Sequence, residues 1–259
     1  MKKDRKGGIG RNVEEGLLRN RLDLLISLQD TTTGMVVEDR SVNFSLNGKT
    51  IRPAQRGNGN FILLNTGREN GLMRIEAFGY EPYEVDVDYE KLDAAMPAVE
   101  VFLIPSENVR RGEGLLSFSG NLRGLTSLEA INLDKPICSF REFDPKHKVM
   151  TVFMPNRRMN MIHTYYGVAN VRDGTYETIE VEKELPSGKI RVKELLTQEF
   201  PQNAPICRIL HGQIKKNGDF LFRVRDSGAD AVYLMKYKVG DTEKFRAVDF
   251  HNLSEVRLD

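Results

Sequence analysis

From Leu22 onward the chain sorts its side chains with a period of two. Leu22, Leu24, Ile26 and Leu28 alternate with Asp23, Leu25, Ser27 and Gln29, and Val42, Phe44 and Leu46 alternate with Ser41, Asn43 and Ser45. This spacing puts each set on one face of a half-buried strand. Asn47-Gly48 follows at once, a pair that tolerates positive φ at both central turn positions and so predicts a hairpin. Asp30-Thr31-Thr32-Thr33-Gly34 and Arg56-Gly57-Asn58-Gly59-Asn60 are further turns, because Asp and Thr side chains bond the local backbone and Gly accepts left-handed angles. Phe61 to Leu64, Met73 to Ala77, Val85 to Tyr89 and Val99 to Ile104 continue the strand pattern, broken once by Phe78-Gly79-Tyr80-Glu81-Pro82-Tyr83.

Pro105 to Gly114 is polar, with Arg110, Arg111, Gly112 and Gly114, and reads as a linker. Beyond it the strand signals resume. Leu116 and Phe118 alternate with Ser117 and Ser119, Val149 to Met154 is apolar and β-branched, and Thr178 to Leu185 alternates Ile179 and Val181 with charged residues. Pro186-Ser187-Gly188-Lys189 and Lys216-Asn217-Gly218-Asp219 are hairpin turns, while Ile190 to Leu196 fits a helix or a strand. Before Leu22, the basic, glycine-rich start (Lys2, Lys3, Arg5, Lys6) predicts a flexible arm, and Asn12 with Glu15 predicts the cap of a short helix through Leu18. The expectation is a mainly β protein of two antiparallel β-sandwich-like domains with a short N-terminal helix or arm. The segments are 1–21 (arm and helix), 22–104 (first sandwich), 105–114 (linker) and 115–259 (second β-rich domain).

Four stretches of the first half stand in a familiar order: Asp30-Thr31-Thr32-Thr33-Gly34, Val42-Asn43-Phe44-Ser45-Leu46, Gly59-Asn60-Phe61 and Ile75-Glu76-Ala77-Phe78-Gly79-Tyr80. This succession resembles the transthyretin-like sandwich of carboxypeptidase-regulatory-like domains, with Asn58 where that family usually has an acidic residue. The resemblance covers about a third of the chain. It implies a non-catalytic accessory or adhesion-type module and supplies no active-site residues.

A formal charge of +1 gives no global attraction to nucleic acid or anionic membrane. Two cysteines, Cys138 and Cys207, do not make a disulfide scaffold, and both are expected to be reduced. The basic start is not followed by an apolar stretch of the kind a secretory signal needs, and no apolar run approaches the ~20 residues of a spanning helix. The chain is therefore expected to be made in the cytosol, without membrane insertion.

Candidate chemistry is sparse. His147, His163, His211 and His251 stand apart from one another and from any cysteine at ligand spacing, so no metal or other cofactor is expected. Cys207 with His211 would need to meet in space to form a nucleophile pair, and a buried thiol is the commoner state. Glu142, Asp144 and His147 flank Pro145 as a solvated turn would. Pro136-Ile137-Cys138 recurs as Pro205-Ile206-Cys207, each opening a strand-like run. Two equivalent edge positions, a decayed duplication or coincidence would explain the echo, and three residues are few enough that coincidence comes first.

Arg157-Arg158-Met159-Asn160-Met161-Ile162-His163-Thr164-Tyr165-Tyr166 is the best binding candidate, with Arg157, Arg158, Met159, Tyr165 and Tyr166 as its contact residues. Arginine, methionine and tyrosine combine large contact areas with polar tips. Met161, Ile162 and one tyrosine fit an ordinary core equally well, and the two arginines are too short a basic patch for nucleic acid. The expected function is a non-catalytic structural or interaction subunit of a larger assembly, partnered by other protein subunits. A phage-tail-like or contractile injection particle would reconcile an accessory module with a chain lacking an export signal. The alternative is a carbohydrate-binding module or an unrecognised hydrolase in the C-terminal half.

Overall fold

The computed structural model describes residues 21–38, 41–106, 114–155, 161, 165–215, 217–226, 231–251 and 258. Among them all regular structure is strand, as the alternating pattern requires. The helix expected between Asn12 and Leu18, the arm before it and the middle of the expected linker, 107–113, lie outside the described residues.

The first half contributes β1 (Leu22–Asp30), β2 (Asn43–Leu46), β3 (Lys49–Ile51), β4 (Ala54–Gly57), β5 (Asn60–Leu64), β6 (Gly71–Glu76), β7 (Tyr83–Val87) and β8 (Ala98–Leu103). They form two four-stranded sheets, in the orders β4-β5-β1-β8 and β3-β2-β6-β7. The core between them is built from Leu24, Ile26, Leu28, Phe44, Phe61, Met73, Ile75, Val101 and Leu103. Most of these are the inward members of the alternating sets, so burying one face of each strand is what brings the sheets together. The Asn47-Gly48 hairpin forms as its chemistry predicts, with φ of 50° and 76° and Leu46 facing Lys49. One pairing departs from the antiparallel expectation: β1 and β8 run parallel, Leu25 opposite Ala98 through Asp30 opposite Leu103. The chain crosses to the other sheet between them and comes back in the same direction, the kind of long connection a parallel pair needs.

The turn motifs of the first half meet in space. Asp30 Oδ1 accepts from the Thr32 amide at 2.8 Å, the Thr32 hydroxyl at 2.6 Å and the Thr33 amide at 3.1 Å, while the Tyr80 hydroxyl donates to Oδ2 at 3.0 Å. Gly34 (φ 61°) lies so close to the second half that an added Cβ would sit 2.7 Å from the Ile209 carbonyl oxygen. Glycine is required there on both counts.

The second half contributes β9 (Leu115–Asn121), β10 (Leu125–Asn132), β11 (Cys138–Asp144), β12 (Val149–Phe153), β13 (Tyr165–Asn170), β14 (Thr175–Leu185), β15 (Lys189–Val192), β16 (Pro205–His211), β17 (Gln213–Ile214), β18 (Asp219–Arg225), β19 (Val232–Val239) and β20 (Thr242–Asp249). A nine-stranded sheet runs β11-β12-β15-β14-β13-β16-β10-β19-β20, and β11 also pairs with β16. That last pairing closes β11, β12, β15, β14, β13 and β16 into a ring. Cys138, Phe140, Met150, Val152, Tyr166, Val168, Ile179, Val181, Ile190, Val192 and Ile206 belong to its buried core. The ambiguous stretch at Ile190 is a strand because Ile190 and Val192 alternate into this barrel, where neither is exposed.

A second sandwich holds the barrel. The sheet β17-β18-β9 packs against the β10 and β19 end of the large sheet over Phe118, Leu128, Ala130, Phe220, Phe222, Val224, Met235 and Val248. The C-terminal half thus has two cores rather than a single sandwich interior. Ile131, Ala169, Tyr176, Cys207, Ile209 and Leu234 form a further cluster joining them. Strand β16 serves both units: Ile206, Cys207 and Arg208 pair with β13, and Ile209, Leu210 and His211 pair with β10.

Candidate functional site

The same alternation that buries Val101 and Leu103 turns Glu100 and Phe102 outward from the first sandwich. They face the second half, where His211 ends β16 and Tyr165 opens β13. The result is a cleft of about 410 Å³ at the junction of the three units, lined by Glu100, Phe102, Glu129, Tyr165, Thr178 and His211, with Gln213 and Ser127 beside them. Gly212 also lines it; a Cβ there would meet the Leu128 and Phe222 side chains at 2.7 and 2.9 Å.

Phe102 and His211 stack face to face, ring centroids 3.8 Å apart and 27° from parallel. The His211 Nε2 is shielded from solvent and has no hydrogen-bond partner among the described residues. Burial, together with the Lys236 charge, pushes the imidazole pKa down to about 3, so the ring is neutral. Lys236 Nζ donates to Thr178 Oγ1 at 3.0 Å, lies 3.4 Å from Glu129 Oε2 and sits 5.2 Å from the centre of the Tyr176 ring. Across the cleft the Tyr165 hydroxyl donates to Glu100 Oε1 at 2.9 Å. Burial raises the Glu100 pKa and Glu180 adds to it, while the Tyr165 bond and Lys193 oppose. Lys193 is itself ion-paired to Glu180. Burial and the neighbouring carboxylates keep the Tyr165 phenol protonated.

The predicted contact stretch divides. Arg157, Arg158 and Met159 lie outside the described residues. Tyr165 reaches the cleft through its hydroxyl. Tyr166 has no exposed surface and packs inside the barrel with Met161, because adjacent residues of a strand face opposite ways. Tyr166 is therefore core and not a contact residue. Cys138 and Cys207 are buried, and burial pushes both thiols up to about 12, so neither is a thiolate near neutrality. His147 Nδ1 lies 2.7 Å from Asp144 Oδ2 on an exposed turn. Among the described residues no three His, Cys, Asp or Glu side chains gather as metal ligands would, and no helix is long and apolar enough to cross a membrane. Glu100, Phe102 and Glu129 were not singled out by sequence pattern. The one available signal was an aromatic and an acid on the outward face of a strand whose other face is fully apolar.

No family model and no curated protein matches this chain. Among solved structures it is similar to a "putative carbohydrate binding protein" from Bacteroides uniformis, at 10% identity over 87% of this chain and 97% of that one, with a TM-score of 0.22. A likeness of that size carries no argument about function.

Proposed function

We propose that the chain is a non-catalytic interaction subunit that joins neighbouring protein subunits by strand addition. The observation that carries this reading is β9, at the edge of its sheet and, among the described residues, paired on one side only, by β18. An open edge presents unpaired amides and carbonyls to any other chain, and proteins ordinarily blunt it with lysine, proline or a bulge. Leu115-Leu116-Ser117-Phe118-Ser119-Gly120-Asn121 has no charge and no proline, and its register with β18 is unbroken from Leu115 to Asn121. Main-chain pairing along such an edge supplies affinity, and alternate side chains supply selectivity. Within this reading, residues 22–104 form a transthyretin-like module, supported by the Asp30–Tyr80 bond that ties two of the family-like turns together. A phage-tail-like or contractile injection particle is the assembly we favour.

Ser117→Lys with Ser119→Lys tests the reading, since both side chains are exposed and lysine on an edge discourages further pairing. The double variant should melt as the parent does and lose co-purification with its partner subunits. Undiminished co-purification would reject strand addition at β9. A second reading, a carbohydrate-binding module, is favoured by the mixture of aromatic rings, carboxylates and hydroxyls lining the junction cleft.

A further inference from the structure

We propose that the junction cleft binds a neutral, polyhydroxylated ligand of mono- to disaccharide size, seated against the Phe102–His211 pair, and that the wall yields so that one ligand hydroxyl bonds His211 Nε2, an atom closed to solvent in the unliganded chain. The proposal rests on the carbohydrate reading and gives it a place and a polarity; it is independent of strand addition at β9. Three features of the cleft carry it.

The first is an unmet need. A buried polar atom without a partner is uncommon in folded proteins, and His211 Nε2 has none among the described residues, at the wall of a cleft. A hydroxyl both donates and accepts, so it satisfies Nε2 whichever ring nitrogen carries the proton.

The second is charge. Lys236 lies close enough to His211 to disfavour a proton on the ring, and it is itself paired to Glu129, opposite His211, at 3.4 Å, so its charge is already answered at that end. At the other end burial disfavours the Glu100 charge and its Oε1 already accepts from the Tyr165 hydroxyl, so neither end offers a ready countercharge to an ion. A ligand without net charge is what both ends tolerate.

The third is the distribution of remaining groups. Tyr165, Thr178, Ser127 and Gln213 place hydroxyls and an amide around the cleft, and the carboxylates accept from any donor-rich ligand. The volume of about 410 Å³ falls within the ~300–1,000 Å³ of small-molecule sites.

The experiment is a titration of the full chain, its histidines labelled with ¹⁵N, with glucose, galactose, maltose and cellobiose, and separately with glucosamine and glucuronate, at neutral pH. At least one neutral sugar should shift the His211 ring nitrogens saturably, with the charged sugars at least about tenfold weaker, a difference of one decade in Kd. His211→Leu should abolish that binding. Thr178→Val, which removes one hydroxyl at the cleft wall, should weaken it even if the histidine variant misfolds. Saturable binding of a sugar with His211 unmoved overturns the proposed place and leaves the carbohydrate reading standing. No binding of any of the four neutral sugars overturns both, and charged sugars binding as well as neutral ones overturn the polarity.

Discussion

The Ile137 amide donates to the Ile206 carbonyl at 2.8 Å, and one residue on, Cys138 stands directly opposite Ile206. The two Pro-Ile-Cys stretches are thus bonded to each other, antiparallel, at the seam that closes the barrel. Pro205 opens β16 and Pro136 stands just before β11, places where the missing amide costs no ladder bond. The halves of the echo are not equivalent, for Cys138 lies in the barrel core and Cys207 in the cluster outside it.

Ile206→Ala should therefore destabilise strongly, since Ile206 is fully buried where the wall closes. Deleting such a side chain typically costs about 2–5 kcal/mol through lost transfer energy and the cavity left behind. Urea denaturation of the variant checks the magnitude.

The cysteines should stay unpaired under mild oxidation. Successive residues of a strand face opposite ways, so with Cys138 facing Ile206 on the inner side, Cys207 points to the outer side. A thiol reagent should modify neither in the native protein at neutral pH and both after unfolding. Formation of an intramolecular disulfide without unfolding would contradict the barrel register.

Stability should fall as pH is lowered from about 6.5, the value of an unperturbed imidazole. Folded His211 holds its proton only near pH 3, so across the interval the unfolded chain binds more protons and is favoured by acid. Between pH 6.5 and 5 the loss is on the order of 2 kcal/mol for one such group. Asp23 has the same sign further down. Burial opposes its charge, but Arg21 and the Thr66 and Gly67 amides outweigh that and hold it below 3.8, so its contribution is lost as pH falls through the folded value. Glu100 acts in reverse, because its raised pKa means the folded chain takes up that proton first. His211→Leu should flatten the profile between pH 6.5 and 5 in chemical denaturation; an unchanged slope would show that another group carries it.

Tyr165 and Tyr166, adjacent in sequence, should respond oppositely. Tyr166→Ala empties part of the barrel core and should cost roughly 3–5 kcal/mol, as large aromatic truncations do. Tyr165→Phe removes only the bond to Glu100 and should cost about 1 kcal/mol. Thermal melting of the two variants separates them.

Arg223 should act as a clamp between the halves. Its guanidinium, 8% exposed, donates to the Pro105 carbonyl at 2.7 Å and lies 3.4 Å from Glu81 Oε1. Arg223→Met leaves that buried carbonyl without its donor, a loss of about 1–3 kcal/mol. Proteolysis at the end of the first sandwich should then become faster than in the parent.

Local chemistry made much of this fold legible. Alternation located β1, β2 and β18, and turn residues located the hairpins at Asn47-Gly48 and Ser187-Gly188, with positive φ at both central positions, and at Gly218, where the glycine has positive φ. What pattern cannot carry is which strands pair across long separations. Nothing near Cys138 announces that it will face Ile206, so the barrel and the parallel β1–β8 pair went unread. The cleft escaped for the same reason: Glu100, Tyr165 and His211 come from three units, and each looks ordinary beside its own neighbours. In the Tyr165-Tyr166 pair, composition marked an interface where strand alternation sends one ring to a cleft and the other to a core.

Strand β10 is complete by Asn132, yet β19, its partner along nearly its whole length, begins only at Val232, and the whole barrel is threaded between the two. On a ribosome, the apolar face of β10 must wait for about a hundred residues of synthesis, which at ~5–20 residues per second is some 5–20 seconds. The barrel, whose ring is completed by β16, can close before that sandwich does. A nascent chain halted after β16 would therefore present a barrel with all its strands beside a sheet whose β10 still lacks its β19 partner.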